Sequence, residues 1–290
     1  MNISQLKIIG LIAMILDHIA NFFPNISCAL LFHYIGRIAA PIFVFCVVNA
    51  IFNTSSRIKY LKRLYIASVG MAVVQMITQV ELNFLRTLFV MACIISILQL
   101  KKENNTEYKK YVTIYALYQI VSYIICAICA ATSSAASETF CFYLLPAILG
   151  SVMTLEGGII WVVLGIILYY SYNNKRLTAI YYIIYVSIYE VCFASDIIIT
   201  ILIKIRKIIP YIGYGLTECL QYILETVIGI SPMNIGGDLF SENYYFMMIG
   251  ALPMILSYNG KKGYNIKYFF YIFYILHILI LWFISQKIIF

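Results

Sequence analysis

Three ionisable side chains lie near the start of the chain, inside stretches that are otherwise apolar. Asp17 and His18 lie in the first stretch, and Arg37 lies in the second. An ionisable side chain in a membrane span costs about 2.5 to 3.5 kcal/mol, so such residues are candidates for function. A carboxylate can hold a guanidinium as a two-point clamp, and an imidazole can accept a proton near neutral pH. The trio is therefore a candidate site.

Two interpretations of this trio stay open from position alone. In the first, Asp17 pairs with Arg37 across a helix hairpin while His18 faces a cavity, because adjacent helix positions point about 100° apart. In the second, Asp17 and Arg37 form a buried structural pair, and His18 only caps the outer end of the first helix. The two interpretations predict a shared pocket and a packed interface, respectively.

The remaining ionisable residues in apolar stretches single out no second site. His277 lies in an aromatic run, 269–277, where a histidine is more often a helix-to-helix hydrogen-bonding residue than a catalyst. His33 begins the second stretch and is interpreted as interfacial. Any of the other acidic residues can line a substrate or proton path, and none stands apart: Glu156, Glu190, Asp196, Glu218, Glu225 and Asp238.

The composition is that of a membrane protein. Of 290 residues, 63% are apolar and 11% are charged, and the mean hydropathy is +0.92. A soluble domain is roughly half apolar and about a quarter charged, so a soluble enzyme is excluded. The net charge of +8 indicates basic cytoplasmic loops and not nucleic-acid binding. Most of the eight cysteines lie in apolar runs, and the pair Cys126 and Cys129 is an incomplete zinc signature, so no metal is predicted.

The apolar stretches predict an all-α, polytopic transmembrane bundle with about ten spans, which forms a single domain over 1–290. Stretch 140–155 is short and contains Pro146 and Gly150, so it is either a re-entrant, broken helix or a short full span. The stretches are 5–23, 31–52, 61–79, 84–100, 111–131, 140–155, 157–172, 178–203, 208–229, 243–258 and 266–289.

Basic clusters predict the topology. Lys and Arg residues gather in 57–63, 101–110, 175–176 and 261–267, which places these loops and the N-terminus in the cytoplasm. The alternation of cytoplasmic and outer loops then fails at the three basic residues in 204–207, which follow a single apolar stretch from the cytoplasmic loop at 175–176. Either 178–203 is a hairpin broken near Glu190, or this trio faces outward.

Several motifs resemble the TraX family of conjugal-transfer pilin acetylases. Residues 6–19 read LKIIGLIAMILDHI, similar to the family's LK-x(5)-TM-x(2)-DHI, and residues 35–43 read IGRIAAPIF. YLKRL at 60–64 and NFLRTL at 83–88 follow. Near the other end, ALP, YNGKKG and FYIFYILH at 251–253, 258–263 and 270–277 are similar to the family's ALP, YNGxxG and FYxFYPxH. Departures are Ile275 for the usual proline, Gln75 for an acidic residue, and LEGG at 155–158 for a DYG element.

The resemblance implies an integral membrane acetyltransferase in the bacterial inner membrane, with acetyl-CoA as the acyl donor and no metal. The implied acceptor is an amine of a pilin-like or other peptide, or a hydroxyl of a glycan or lipid headgroup. His18 falls on the family's DH motif and becomes the expected general base or transient acyl carrier. Asp17 would orient it, and Arg37 would bind a CoA phosphate or the thioester oxyanion.

The resemblance also implies binding residues near the C-terminus. His277, Tyr258 and Asn259 are expected to form the wall opposite His18. Lys261 and Lys262 are expected to meet the CoA phosphates, although solvated loop lysines are an equal alternative.

The sequence leaves two other classes of protein open. A secondary transporter has a similar number of spans and midplane charges, but it usually shows two repeats, which are not evident here. A non-catalytic assembly factor would need its helix packing but not Asp17, His18 or Arg37.

Overall fold

The computed structural model describes residues 1–135, 137–209, 212–231, 237–264 and 267–288. These parts of the chain are helical or irregular and contain no strand. The α-helices are α1 Ile3–Phe22, α2 Ala29–Gly36, α3 Ala39–Asn53, α4 Arg57–Thr78, α5 Phe84–Lys102, α6 Tyr108–Ala131, α7 Leu145–Leu149, α8 Ile160–Ser171, α9 Lys175–Ala194, α10 Ile197–Ile208, α11 Gly213–Ile223, α12 Ala251–Leu256 and α13 Lys267–Ile288. Short π-helices cover Phe140–Leu144 and Leu224–Ile228, and a 3₁₀ helix covers Tyr244–Gly250.

The polytopic helical bundle expected from the sequence is confirmed. In the described parts, six helices are long and apolar enough to cross a membrane: Ile3–Phe22, Ala29–Asn53, Phe84–Lys102, Tyr108–Ala131, Lys175–Ala194 and Tyr268–Lys287. Three shorter apolar helical segments accompany them, at Phe140–Leu149, Ile160–Ser171 and Tyr244–Leu256. The protein is therefore a membrane protein.

The helix interruptions differ from the sequence-based prediction at two places and agree with one of its alternatives at a third. Stretch 31–52 is two helices, which meet at Arg37 and Ile38. Stretch 178–203 does break, but at Ser195 and Asp196 and not near Glu190. Stretch 140–155 is a π-turn followed by the short α7, which ends at Gly150 with φ +58°. The broken-helix interpretation of this stretch is therefore the one that the structure shows.

The centre of the bundle is built on α1. Its start is fixed by a capping box, in which Asn2 accepts from the Gln5 backbone N–H and the Gln5 side chain accepts from the Asn2 backbone N–H. Helix α1 packs against α2, α3 and α13, while α5 packs against α3, α4 and α8. Fully buried apolar side chains fill the space between these helices, for example Leu6, Ile42, Met91 and Ile278. This packing holds the residues of the DH motif beside the last helix.

Candidate active site

A cavity of about 320 Å³ lies between α1, α3, α4, α5 and α13. Its wall is mostly apolar and aromatic, and besides His18 it contains two basic residues, Lys7 and Arg37, and two acidic residues, Asp17 and Glu156. Lys7 and Asp17 are ten residues apart on α1, so the cavity follows this helix for about 15 Å. The cavity therefore has two ends, which are called the Lys7 end and the His18 end below.

His18 is buried at one end of this cavity and contacts the last helix directly. Its Nδ1 lies 2.7 Å from Nε2 of His277, and the two rings are nearly parallel. The other nitrogen of His277, Nδ1, lies 2.9 Å from the Phe273 carbonyl oxygen one turn earlier on α13. Both histidines are thus joined to a backbone carbonyl in one chain of hydrogen bonds.

This chain of hydrogen bonds fixes the tautomers of both neutral rings. A carbonyl oxygen only accepts, so Nδ1 of His277 carries the proton and its Nε2 carries the lone pair. His18 therefore donates from Nδ1, and its own lone pair lies at Nε2. No hydrogen bond to this Nε2 is found within the described ranges, and His18 is part of the cavity wall. The arrangement leaves one imidazole lone pair available to a molecule in the cavity.

Asp17 pairs with His33 and not with Arg37, so the predicted carboxylate–guanidinium clamp is wrong in this structure. Oδ1 of Asp17 lies 2.8 Å from Nδ1 of His33, which the sequence analysis interpreted as merely interfacial. Gly36 makes room for this contact, because a Cβ at that position would overlap the Asp17 side chain. The glycine of the GR motif therefore brings α2 close to the DH motif.

Arg37 lies against aromatic rings in the same cavity wall. Its Cζ is 4.9 Å from the ring centroid of Tyr244 and 5.1 Å from that of Tyr245, distances typical of cation–π contacts. Its Nε is buried and has no hydrogen-bond partner in the described parts of the chain. Asp17 is near enough to interact with this guanidinium electrostatically but is bonded to His33, and Tyr244 accepts one hydrogen bond from Arg37. The buried Nε of Arg37 is therefore the donor that can bind an oxygen of a ligand.

Glu156 is a cavity residue that the sequence analysis did not separate from the other acidic residues. The loop that carries it is tied to the later π-helix, Leu224–Ile228, by two backbone bonds, from Thr154 N–H to the Thr226 carbonyl at 2.6 Å and from Ile159 N–H to the Val227 carbonyl at 2.8 Å. Gly158, with φ +71°, packs directly on the backbone of this segment. The sequence did contain a signal that this loop enters the bundle: the short, broken stretch 140–155 is followed directly by Glu156 and a Gly-Gly pair.

The start of α5 supports this loop. The Thr87 hydroxyl donates to the Glu156 carbonyl at 3.0 Å, and Arg86 donates to the Thr154 carbonyl. Tyr274 of α13 accepts from the Phe84 backbone N–H at 3.0 Å, which ties α13 to the same helix end. Arg86, a buried cation that sequence reasoning missed, therefore positions the Glu156 loop without lining the cavity itself.

The structure separates the expected C-terminal binding residues into two places. His277 does face His18, whereas Tyr258 and Asn259 are not part of the cavity wall, so the predicted shared wall is wrong for these two. The Asn259 backbone N–H donates to the Met1 carbonyl at 2.9 Å, and Tyr258 packs against Phe45. Both lie at the start of α1, about 20 Å along this helix from His18.

Lys261 and Lys262 also lie at the start of α1. The Lys261 carbonyl accepts from Ile3 N–H at 3.0 Å, and the Lys262 carbonyl accepts from the Ser4 hydroxyl at 3.0 Å. Both lysines are exposed. Their backbones contact α1 about one turn before Lys7, and they are distant from the histidine pair.

Comparison with known protein families identifies the family of this chain. The pattern that defines the TraX protein family matches residues 2–285, so the chain belongs to the TraX family. This family is linked to pilin acetylation, and membership indicates a general role in pilin processing. Neither the curated proteins nor the solved structures include a significant match.

Proposed function

We propose that this protein is an integral membrane acetyltransferase, which transfers an acetyl group from acetyl-CoA to an amine or hydroxyl acceptor. One observation supports the proposal most directly. The lone pair of His18 and the unpartnered Nε of Arg37 lie in the wall of one mostly apolar cavity. A base and an oxyanion-binding donor in a water-poor site are what acyl transfer requires.

The cavity suits a thioester donor. Its volume of about 320 Å³ is within the range of small-molecule sites, about 300 to 1,000 Å³. The buried, unpartnered Nε of Arg37 is an unused donor for an acyl oxygen. Acetyl-CoA supplies the acetyl group in activated form, as a thioester. The residues present therefore fit this donor.

His18 acts first in this proposal. Its Nε2 takes the proton of the acceptor amine or hydroxyl as the acceptor atom forms a bond to the acetyl carbonyl carbon. Arg37 stabilises the negative charge that develops on the carbonyl oxygen. His18 then returns the proton to the departing sulfur of CoA, so that free thiol and acetylated acceptor are the products.

A second role for His18 fits the same geometry. Its Nε2 can attack the thioester carbonyl carbon, so that the carbon–sulfur bond breaks and CoA leaves as a thiolate. In a second step the acceptor attacks the acetyl group, the bond to Nε2 breaks, and the proton of the acceptor ends on the CoA thiolate. In that case an acetylated protein forms without any acceptor, whereas a pure general base forms none. Asp17 and His33 hold the neighbouring wall in either case.

The proposed location is the bacterial inner membrane, with the N-terminus in the cytoplasm. The basic loops expected in the cytoplasm lie near the Lys7 end of the cavity, since α4 begins at Arg57 and its residues Tyr60 and Leu64 line that end. The acceptor is proposed to be a pilin-like peptide or a glycan hydroxyl.

The first experiment incubates the purified, detergent-solubilised protein with radiolabelled acetyl-CoA, alone and with a candidate peptide. We expect release of free CoA and transfer of the label, both lost in His18→Ala while thermal unfolding stays normal. General acid–base catalysis contributes typically about 10² to 10⁴-fold, so the loss should be in that range. Full activity of the variant would contradict the assignment of His18.

Label that remains on the protein without acceptor, and is absent in His18→Ala, identifies the acyl-carrier role. No binding of acetyl-CoA and no turnover with peptide, glycan or lipid acceptors would favour the transporter or assembly alternatives.

A further inference from the structure

The Lys7 end of the cavity carries positive charge without a carboxylate. Lys7 lies in the cavity wall, and its Nζ is 5.4 Å from the ring centroid of Phe270 on α13. The two carboxylates of the wall belong to the His18 end, since Asp17 is next to His18 and Glu156 interacts electrostatically with Asp17. Lys7 has no ion-pair partner within the described ranges, so its charge is uncompensated there.

A second cation lies beside the same end. Arg63 of α4 has its Cζ 5.9 Å from the Tyr60 ring centroid, and it contacts the Tyr271 hydroxyl. Both tyrosines line the cavity. Nε of Arg63 is buried and lacks a hydrogen-bond partner among the residues that the structure describes. Two unpaired cations from α1 and α4 therefore converge on the aromatic residues at this end.

Such a cluster has the chemistry of a phosphate site next to a stacking surface. Lysine and arginine bind phosphate through charge-assisted hydrogen bonds, and burying them without an anion is costly. The three rings nearby, Tyr60, Phe270 and Tyr271, offer faces on which a nucleobase can stack. An adenine nucleotide with several phosphates combines both features.

The distance between Lys7 and His18 can be compared with the length of the arm of CoA. Lys7 and His18 are eleven residues apart on α1, or about 16 Å. In CoA, about twelve bonds separate the pyrophosphate oxygen from the sulfur. At the extended length of a peptide chain, about 1.1 to 1.2 Å per bond, this arm reaches about 14 Å. Phosphates held at Lys7 would therefore place the thioester close to His18.

We propose that Lys7 and Arg63 bind the phosphates of an adenine nucleotide at this end of the cavity, with its extended arm directed along α1 toward His18. The inference rests on the proposed function, because it deepens the site of the acyl donor. The shared chemistry is a phosphate ester, which either the nucleotide of CoA or the headgroup of an anionic lipid can supply.

Binding is measured without turnover, on the full chain in detergent, with adenosine 3′,5′-bisphosphate as the probe. We expect Lys7→Gln and Arg63→Gln each to weaken binding by tenfold or more, and Lys7→Arg to retain affinity within about threefold, since it keeps the charge. Lys109→Gln and Arg176→Gln are the matched controls, because both residues are exposed on other helices. They should bind as the unmodified chain does.

A second arm identifies the source of the phosphate. Thermal unfolding is followed in mixed micelles with phosphatidylglycerol or with phosphatidylcholine. If only phosphatidylglycerol stabilises the chain, and the two Gln variants lose this effect, the phosphate site stands with a lipid as its ligand. If neither probe separates the two Gln variants from the two controls, the inference is wrong. Should a Gln variant fail to fold, the same comparison is made with Lys7→Met and Arg63→Lys. We expect Lys7→Met to lose affinity for the bisphosphate and Arg63→Lys to retain part of it.

Failure here is distinct from failure of the proposed function. His18→Ala should bind the bisphosphate normally, because His18 lies at the other end of the cavity. Normal binding by Lys7→Gln and Arg63→Gln in a chain that transfers acetyl groups would overturn only the phosphate site. Bisphosphate binding that depends on these cations, in a chain that transfers no acetyl group to any acceptor, would overturn only the proposed activity.

Discussion

His18 Nδ1 and His277 Nε2 lie 2.7 Å apart, although 259 residues separate them along the chain. The only N–H of neutral His277 donates to the Phe273 carbonyl, so its other nitrogen, Nε2, can only accept a hydrogen bond from His18. His277 is therefore a positioning residue, which keeps the lone pair of His18 on Nε2.

Replacement of His277 by leucine should slow acetyl transfer and leave donor binding intact. Without the acceptor, the proton of His18 is no longer held on Nδ1. The expected loss in kcat is about 10- to 100-fold, by analogy with the removal of hydrogen-bond partners that orient metal-binding histidines. His277→Gln, whose side-chain oxygen can accept from His18, should recover most of this loss. The measurement is kcat and KM for acetyl-CoA. An equal loss in both variants, or a rise in KM alone, would contradict the positioning role.

Replacement of Arg37 by lysine should also impair transfer strongly. The guanidinium rests against two tyrosine rings and still has donors to spare, whereas an ammonium is a compact point charge that cannot reproduce planar, two-point binding. Loss of an oxyanion donor typically costs about 10²- to 10³-fold in kcat, so a loss near the lower figure is expected. The control is Arg176→Lys on the exposed start of α9. If Arg37→Lys is as active as the control, Arg37 supplies only charge.

The sequence predicted the helices better than their interruptions. Apolar runs placed α1, α5 and α6 to within three residues at each end, since a span needs a length that the sequence displays. The break at Arg37 and Ile38 had one signal, Pro41. Proline lacks an N–H and is tolerated in the first turn of a helix, which is where it lies in α3. That signal was not used, so one stretch was predicted where two helices exist.

The site was predicted in its residues but not in its pairs. Asp17, His18 and Arg37 do line one cavity, as the first interpretation expected. Which base or cation Asp17 meets depends on the turn between α2 and α3, where His33 and Arg37 are one helical turn apart. The rings that hold Arg37 come from Tyr244 and Tyr245, some 200 positions later. A single sequence carries no measure of such distant contacts.

An exposed ion pair predicts a pH-dependent contribution to stability. Arg57 donates to both carboxylate oxygens of Glu103, at 2.5 and 2.7 Å, and this contact holds the pKa of Glu103 below its usual value. A lowered pKa in the folded state stabilises the protein above the unfolded pKa of about 4.3, and the effect vanishes as the pH falls through the folded pKa.

Glu103→Gln should therefore lower the free energy of unfolding at pH 7 by less than about 1 kcal/mol, because half-exposed ion pairs are weak. The thermal midpoint should fall slightly. The difference should shrink in high salt and disappear near pH 3. Glu218→Gln, on the exposed face of α11, is the control and should show no such pH dependence. A difference that persists at low pH would mean that the glutamine disturbs packing instead.

Gly36→Ala tests whether the close approach of α2 to α1 positions the site. The added methyl group would overlap the Asp17 side chain, so Asp17 must move or the two helices must separate. Overpacking of this kind costs about 1 to 3 kcal/mol, and here it also displaces the carboxylate bonded to His33. We expect a lower thermal midpoint together with reduced acetyl transfer.

Gly215→Ala is the matched control, because a Cβ at that position on α11 meets no atom within 4 Å. In an exposed helix, alanine is favoured over glycine by about 0.5 to 1 kcal/mol, so this variant should be as stable as the unmodified chain or slightly more stable. If Gly36→Ala behaves like Gly215→Ala in both stability and transfer, the glycine of the GR motif does not determine the position of Asp17. If stability falls while transfer by the folded fraction is unchanged, the contact supports the fold, and Asp17 has no part in the reaction.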